Sequence, residues 1–340
     1  MPDRSDQLGR FLSDIGWSDA KRVLIAGDAS NRKYERLTRG PETRVLMDAS
    51  PEKGEDVRPF VSITQYLRKA GLSAPEIFAQ DDARGFLLIE DLGDDLFARV
   101  IKDDRTLEAP LYEAAIDVLV HLHAAPVPEL PRYDAAVMTD VACLAFDWYQ
   151  RGAVGSVDAG ARAGFSSAMQ EALAGLDATD PVLIQRDYHA ENLIWLPDRV
   201  GPERVGLLDY QDAMLGHPAY DLVSVLQDAR RDVSPDLARQ MVDRYLTATA
   251  HDAGAFEKAC ALLGVQRNLR ILGVFARLSL AYGKPSYVDL VPRVWNHLDK
   301  GLDHPAATTI APLVRGHLPA PTKPILNSLK QQCNTIPLPS

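Results

Sequence analysis

Asp187, four residues and then Asn192 lie inside the stretch LIQRDYHAENLIW (183–195), bracketed by two short apolar runs. Seventeen residues beyond Asn192 a further carboxylate, Asp209, follows the apolar VGLL. Phosphoryl transfer from a nucleotide needs little covalent work from a protein. It needs a carboxylate near the acceptor hydroxyl, oxygen ligands for Mg²⁺ and donors around the phosphates. The D-x-x-x-x-N spacing matches a phosphotransfer catalytic loop. In that reading Asp187 accepts the acceptor's proton. Asn192 and Asp209, at the ends of two apolar strands that pair as a hairpin, supply oxygens to the metal. Alone, Asp-x4-Asn could equally cap turns; joined by Asp209 and the following GHPAYDL (216–222), it points to chemistry. In that segment Asp221, at the expected start of a helix, could cap that helix or be a buried carboxylate holding the backbone amides of the catalytic loop.

The elements that must position these residues follow from periodicity. Leu8, Phe11, Leu12 and Ile15 recur at helical spacing in the first 19 residues. The stretch RVLIAGDASNRKYERLTRGPETRVLMDAS (22–50) reads as three strands joined by a glycine turn and an RGPE turn. A helix over 57–70 stopped by Gly71 follows, then the apolar strand GFLLIEDLG (85–93). From about Leu107 the pattern is helical, and the catalytic-looking strands fall inside that half. Past His304 a proline-rich tail is expected to be partly extended, with a poorly ordered end. The expected division is residues 1–93, 94–320 and a tail 321–340.

The length of 340 residues exceeds one small core and predicts two lobes. Composition, 46% hydrophobic and 25% charged, is that of a globular chain. No uninterrupted apolar run reaches the roughly 18–20 residues that span a bilayer. The acidic start MPDRSDQLGRFLSDIGW is unlike a signal peptide, so a cytoplasmic location is expected, with no membrane partner. The net charge of −10 and the absence of a dense basic run argue against nucleic acid. Cys143, Cys260 and Cys333 form neither a disulfide framework nor a metal pair.

The block QRDYHAEN…LLDYQDAMLGHPAYDL resembles the aminoglycoside phosphotransferase superfamily. The segments GDASNRKYERL, RVLMDASPEKGEDVRPF, LLIEDLGDDLF and QRNLRILGVFARL resemble its branch of bacterial N-acetylmuramate/N-acetylglucosamine 1-kinases. The likeness runs over roughly residues 10 to 300. It implies an α+β, protein-kinase-like two-lobe fold: a small β-rich N-lobe, then a larger, mainly helical C-lobe carrying the catalytic β-hairpin. It implies ATP and Mg²⁺, with Asp187 as base and Asn192 and Asp209 as metal ligands. Gly27, Asp28, Ala29 and Ser30 would lie over the nucleotide phosphates, and Glu90, Asp91 and Leu92 would form the hinge whose backbone pairs with adenine.

One departure stands out. Such folds place a lysine on the third strand, paired with a helix glutamate. Here that strand reads RVLMDAS, with Met47 and Asp48, and the next helix offers Gln65. Arg32 and Lys33, after the glycine turn, could reach the phosphates instead, with Arg44 a further candidate. For the acceptor, His189, Glu191, Gln211 and Asp212 flank the catalytic block. Asp147 and Trp148 come from FDWYQRG, and Arg230 or Arg231 could pair with a lactyl carboxylate. The implied reaction is transfer to the anomeric hydroxyl of N-acetylmuramate or N-acetylglucosamine. A kinase for an aminoglycoside, choline or homoserine, or a non-catalytic nucleotide binder, remain the alternatives.

Overall fold

The computed structural model describes residues 3–25 and 31–338. The glycine turn Gly27–Ser30 therefore lies outside the described residues. The chain forms two compact units, residues 1–125 with 190–213, and residues 126–189 with 214–340. Each is taken in turn.

The first unit opens with helix α1 (Arg4–Asp14), strands β1 (Lys21–Ile25), β2 (Lys33–Arg39) and β3 (Glu42–Asp48), and helix α2 (Arg58–Lys69). Strands β4 (Ile77–Asp81) and β5 (Phe86–Glu90) and helices α3 (Phe97–Asp103) and α4 (Glu108–His123) follow. The five strands make one antiparallel sheet in the order β1-β2-β3-β5-β4. The two most buried strands, β3 and β5, pair with one another inside it. Helix α1 buries Leu8, Phe11 and Leu12, at i, i+3 and i+4, in one cluster with Leu37, Leu46, Phe86 and Leu88. Gly71 ends the α2 segment in the left-handed region at φ 78°, where a Cβ would be strained.

In the second unit come α5 (Ala135–Ala142), a π-helical turn Ala145–Gln150, α6 (Arg151–Val154), α7 (Ala159–Ala174) and β6 (Val182–Ile184). The chain then returns to the first unit for β7 (Leu193–Trp195) and β8 (Val205–Leu207). It completes the second with β9 (Met214–Gly216), α8 (Ala219–Leu226), α9 (Pro235–Ala248), α10 (Ala253–Leu280), α11 (Val291–Leu302), α12 (Ala311–His317) and α13 (Lys323–Gln331). Side-chain caps start several of these helices: Asp134, Asp158, Ser234 and Asp252 each accept a backbone N–H from the first turn. Helix α10, 28 residues long, is the spine of the second unit. By length and composition it could cross a bilayer, but 78% of its most apolar window is buried inside the unit. It also carries Gln266, Arg267 and Asn268 among its buried side chains.

The α+β class, the antiparallel sheet and the helical second half follow the sequence expectation. Three points differ. Strand β4 was not expected. The expected boundary at residue 93 is not where contacts divide the chain, because residues up to 125 and the β7–β8 hairpin cluster with the sheet. The cause is specific: Leu207 N–H donates to the Ser73 carbonyl at 2.9 Å, and Arg199 reaches Ser73 Oγ at 2.6 Å and Glu90 Oε1 at 2.5 Å. The tail, expected to be partly extended, carries two packed helices, α12 and α13. Leu329 on α13 is buried and its carbonyl accepts from the buried Ser279 hydroxyl on α10 at 2.9 Å.

Candidate active site

In the second unit, β6 pairs antiparallel with β9, Ile184 opposite Met214, and delivers the chain to Gln185, Arg186 and Asp187. Arg186 sits in the left-handed region at φ 71°, uncommon outside glycine and a sign that its surroundings hold it there. The holder is Asp221, on α8 and fully buried. Its carboxylate accepts the Gln185 N–H at 2.6 Å and the Arg186 N–H at 2.9 Å. Of the two readings of Asp221, helix cap and holder of the loop amides, the structure shows the second. Burial pushes its carboxyl up to about 7, against the opposing pull of the two amides.

The next residue, Asp187, is half-buried, and Arg270 of α10 places Nη1 3.6 Å from its Oδ1. Burial pushes the Asp187 carboxyl up. Arg270, with His189, Arg267 and Arg186, more than offsets this, so the group lies below its ordinary value and is ionised at neutral pH. His189 is buried, with Nε2 3.5 Å from Arg230 Nη1. Burial lowers it to about 4, so its ring is neutral at neutral pH.

In the first unit, β7 and β8 form the expected ribbon, Leu193 opposite Leu207 and Trp195 opposite Val205. At one end the Leu208 N–H donates to the Asn192 carbonyl at 3.0 Å. That bond sets Asn192 and Asp209 at the same end of the ribbon, as the strand lengths suggested. Asp209 is exposed, adopts φ 56°, and accepts from Gln211 Nε2 at 2.8 Å. An amide oxygen and a carboxylate offer hard oxygen donors, the set Mg²⁺ prefers. Among the described residues there is no cluster of three His, Cys, Asp or Glu able to hold a metal.

Residues 21–256 match the phosphotransferase enzyme family. The chain belongs to that family. It is 40% identical to the N-acetylmuramate/N-acetylglucosamine kinase of Caulobacter vibrioides, over 94% of this chain and 98% of the relative. It is 33% identical to the enzyme of the same name from Pseudomonas aeruginosa, over 84% and 85%. Among solved structures, choline kinase LicA from Streptococcus pneumoniae superposes with a TM-score of 0.63 at 14% identity, covering 87% of this chain and 99% of that one. At such low identity the likeness speaks for the fold alone, which is the protein-kinase-like one.

The phosphotransferase carries no lysine on β3. Met47 is fully buried opposite Tyr34, and Asp48 pairs with Arg4. Gln65 on α2 is exposed, whereas Thr64 points inward to the Tyr210 hydroxyl at 2.7 Å. Of the three candidate cations, Arg44 lies over the Phe78 ring at 4.1 Å and Lys33 is exposed beside Asp48 in the β2–β3 ladder. Arg32 instead pairs with Glu55, Nε to Oε2 2.8 Å, with both side chains largely buried. At the hinge, Glu90 is tied to Arg199 and Asp91 to Arg36 at 2.7 Å, and Leu92 is buried.

Of the acceptor candidates, Glu191 and Asp212 are exposed and Arg231 is half-buried. One expectation needs correction, that for Trp148. Trp148 is only 4% exposed, so it fills the helical core and offers no ring face for stacking. Asp147 is engaged by Arg162 in a two-pronged pair at 2.7 and 3.0 Å. Arg270, Glu55 and Tyr34 were missed. The available signal for Arg270 was two arginines, Arg267 and Arg270, spaced one turn apart inside an otherwise apolar helix.

Proposed function

We propose that the chain transfers the γ-phosphoryl group of ATP to the anomeric hydroxyl of N-acetylmuramate or N-acetylglucosamine, yielding the sugar 1-phosphate in peptidoglycan recycling. The observation that carries this reading is the identity of 40% to a kinase named for both sugars, spread over 98% of that relative. ATP as donor favours a cytoplasmic location.

The side chains supply a consistent chemistry. Asp187, ionised beside Arg270, orients the acceptor hydroxyl and takes its proton, a role worth roughly 10²–10⁴ in rate. Asn192 and Asp209 would hold Mg²⁺ through their oxygens. When bound, that ion neutralises charge on the phosphates. Gly27, Asp28, Ala29 and Ser30 keep their proposed place over the phosphates through backbone donors. The Glu90 N–H already donates to Glu76 at 2.8 Å, which leaves the backbone of Asp91 and Leu92 to pair with adenine. For the sugar, neutral His189 and the carboxylates of Glu191 and Asp212 suit hydroxyl and amide groups. Arg231 suits the lactyl carboxylate of N-acetylmuramate.

The test is incubation with Mg²⁺ and ATP against both amino sugars, an aminoglycoside, choline and homoserine, followed by phosphorus NMR of the product. The reading expects a phosphorus signal coupled to the anomeric proton. Turnover confined to one of the other acceptors, or phosphate on another carbon, overturns it.

A further inference from the structure

We infer that Arg32, fixed by Glu55, is the cation that holds the nucleotide phosphates in place of the missing strand lysine. This rests on the reading of the chain as an ATP-dependent kinase, and deepens it.

Three observations within the first unit carry it. Strand β3 offers no lysine: Met47 is buried and Asp48 is paired with Arg4. The cross-strand neighbour of Met47 is Tyr34. Tyr34 is hydrogen-bonded to Arg32 and lies within electrostatic reach of Asp209, the proposed metal ligand. Arg32 and Asp209 therefore both act on the Tyr34 hydroxyl, Arg32 by a hydrogen bond and Asp209 by its charge. Lys33 is its neighbour in sequence, but successive residues on an extended strand face opposite ways. Lys33, itself exposed, lies on the face of β2 that carries Glu35, which is bound by Arg22 at 2.6 Å.

The pairing also needs a reason. The Arg32 and Glu55 side chains are 12% and 14% exposed. A largely buried ion pair contributes little net stability, because desolvation offsets most of the attraction. Such a pair is explained better by a task that needs a preset cation. A guanidinium offers five N–H donors in a planar fork, more than one carboxylate can take, and the fork matches phosphate oxygens. Glu55 then does for Arg32 what a helix glutamate does for a strand lysine: it fixes the direction of the charge.

The experiment is calorimetric titration of the full chain, with Mg²⁺, by ATP, ADP and adenosine. Arg32→Ala should weaken ATP and ADP by roughly 10- to 100-fold, the range of a lost charge-assisted contact. Adenosine should bind as to wild type, which a merely structural role for Arg32 would not produce. Arg32→Lys should recover part of the loss, and Glu55→Gln should lie between. The exposed-pair control Arg22→Ala should match wild type. Unchanged ATP binding in Arg32→Ala, an equal loss for adenosine, or a phosphate-selective loss in Lys33→Ala instead, each overturns the assignment. If these results hold but neither amino sugar is turned over, the choice of acceptor falls and the role of Arg32 stands. If wild type binds neither ATP nor ADP, both fall.

Discussion

Arg270 and Asp187 face one another, Nη1 to Oδ1 3.6 Å, with the arginine projecting from the spine of the helical unit onto the proposed base. The pair sets the charge state of the base. Burial alone pushes the Asp187 carboxyl up, and Arg270 is the largest influence pulling it down. Removing the guanidinium takes away the largest of the pulls that oppose burial, so the carboxyl then holds its proton to higher pH. Arg270→Gln is expected to shift the acidic limb of the pH profile of kcat/KM upward, with Arg270→Lys in between. An acidic limb that stays in place in Arg270→Gln would show that this arginine has only a packing role.

The proposed base and the proposed metal ligand should fail differently. Asp187→Asn should lower kcat by roughly 10²–10⁴-fold while ATP affinity stays near wild type. Asp209→Asn should also lose turnover, but with weakened, Mg²⁺-dependent binding of ATP. Parallel titrations of ATP with and without Mg²⁺ separate the two. Equal losses in both variants would contradict the division of labour.

Asp221 accepts two backbone amides at the bend before Asp187, inside a fully buried environment. Asp221→Ala strands both donors and should cost about 1–3 kcal/mol of stability in urea unfolding. Because Arg186 depends on those bonds for its left-handed backbone, kcat should fall even below the melting range. A variant of wild-type stability and rate would mean that the amides find other acceptors.

Gly273 lies where α10 crosses the chain at Leu144. A Cβ there would overlap the Leu144 carbonyl, a backbone group that cannot swing aside. Gly273→Ala is expected to destabilise by about 1–3 kcal/mol, the usual cost of overpacking, and more for Gly273→Val. Thermal melts of the two variants give the order directly.

The sequence showed most where polar groups interrupt apolar patterns. Asp187, Asn192 and Asp209 stand at the ends of short apolar runs, and a buried ribbon rarely tolerates such groups without use. The β7–β8 ribbon and the role of Asp221 were legible for that reason. Strand β4 was not, because IFAQD mixes apolar and polar residues over only five positions. The tail misled through its prolines: Pro312 and Pro324 lie at the starts of α12 and α13, where a missing N–H costs nothing, rather than in an extended chain. Arg32 with Glu55 and Arg270 with Asp187 were out of reach for another reason. Each pair is made by tertiary folding between residues far apart in the chain, and no local period encodes which cation meets which carboxylate.

The return of residues 190–213 to the first unit has a consequence for biosynthesis. A nascent chain leaving the ribosome can assemble its five-stranded sheet early, yet the Ser73 carbonyl has no Leu207 amide to meet, and Glu90 no Arg199. That unit is finished only when Ala213 has been synthesised. Translation must therefore pass through the first stretch of the helical unit, 126–189, before the sheet that precedes it can be sealed.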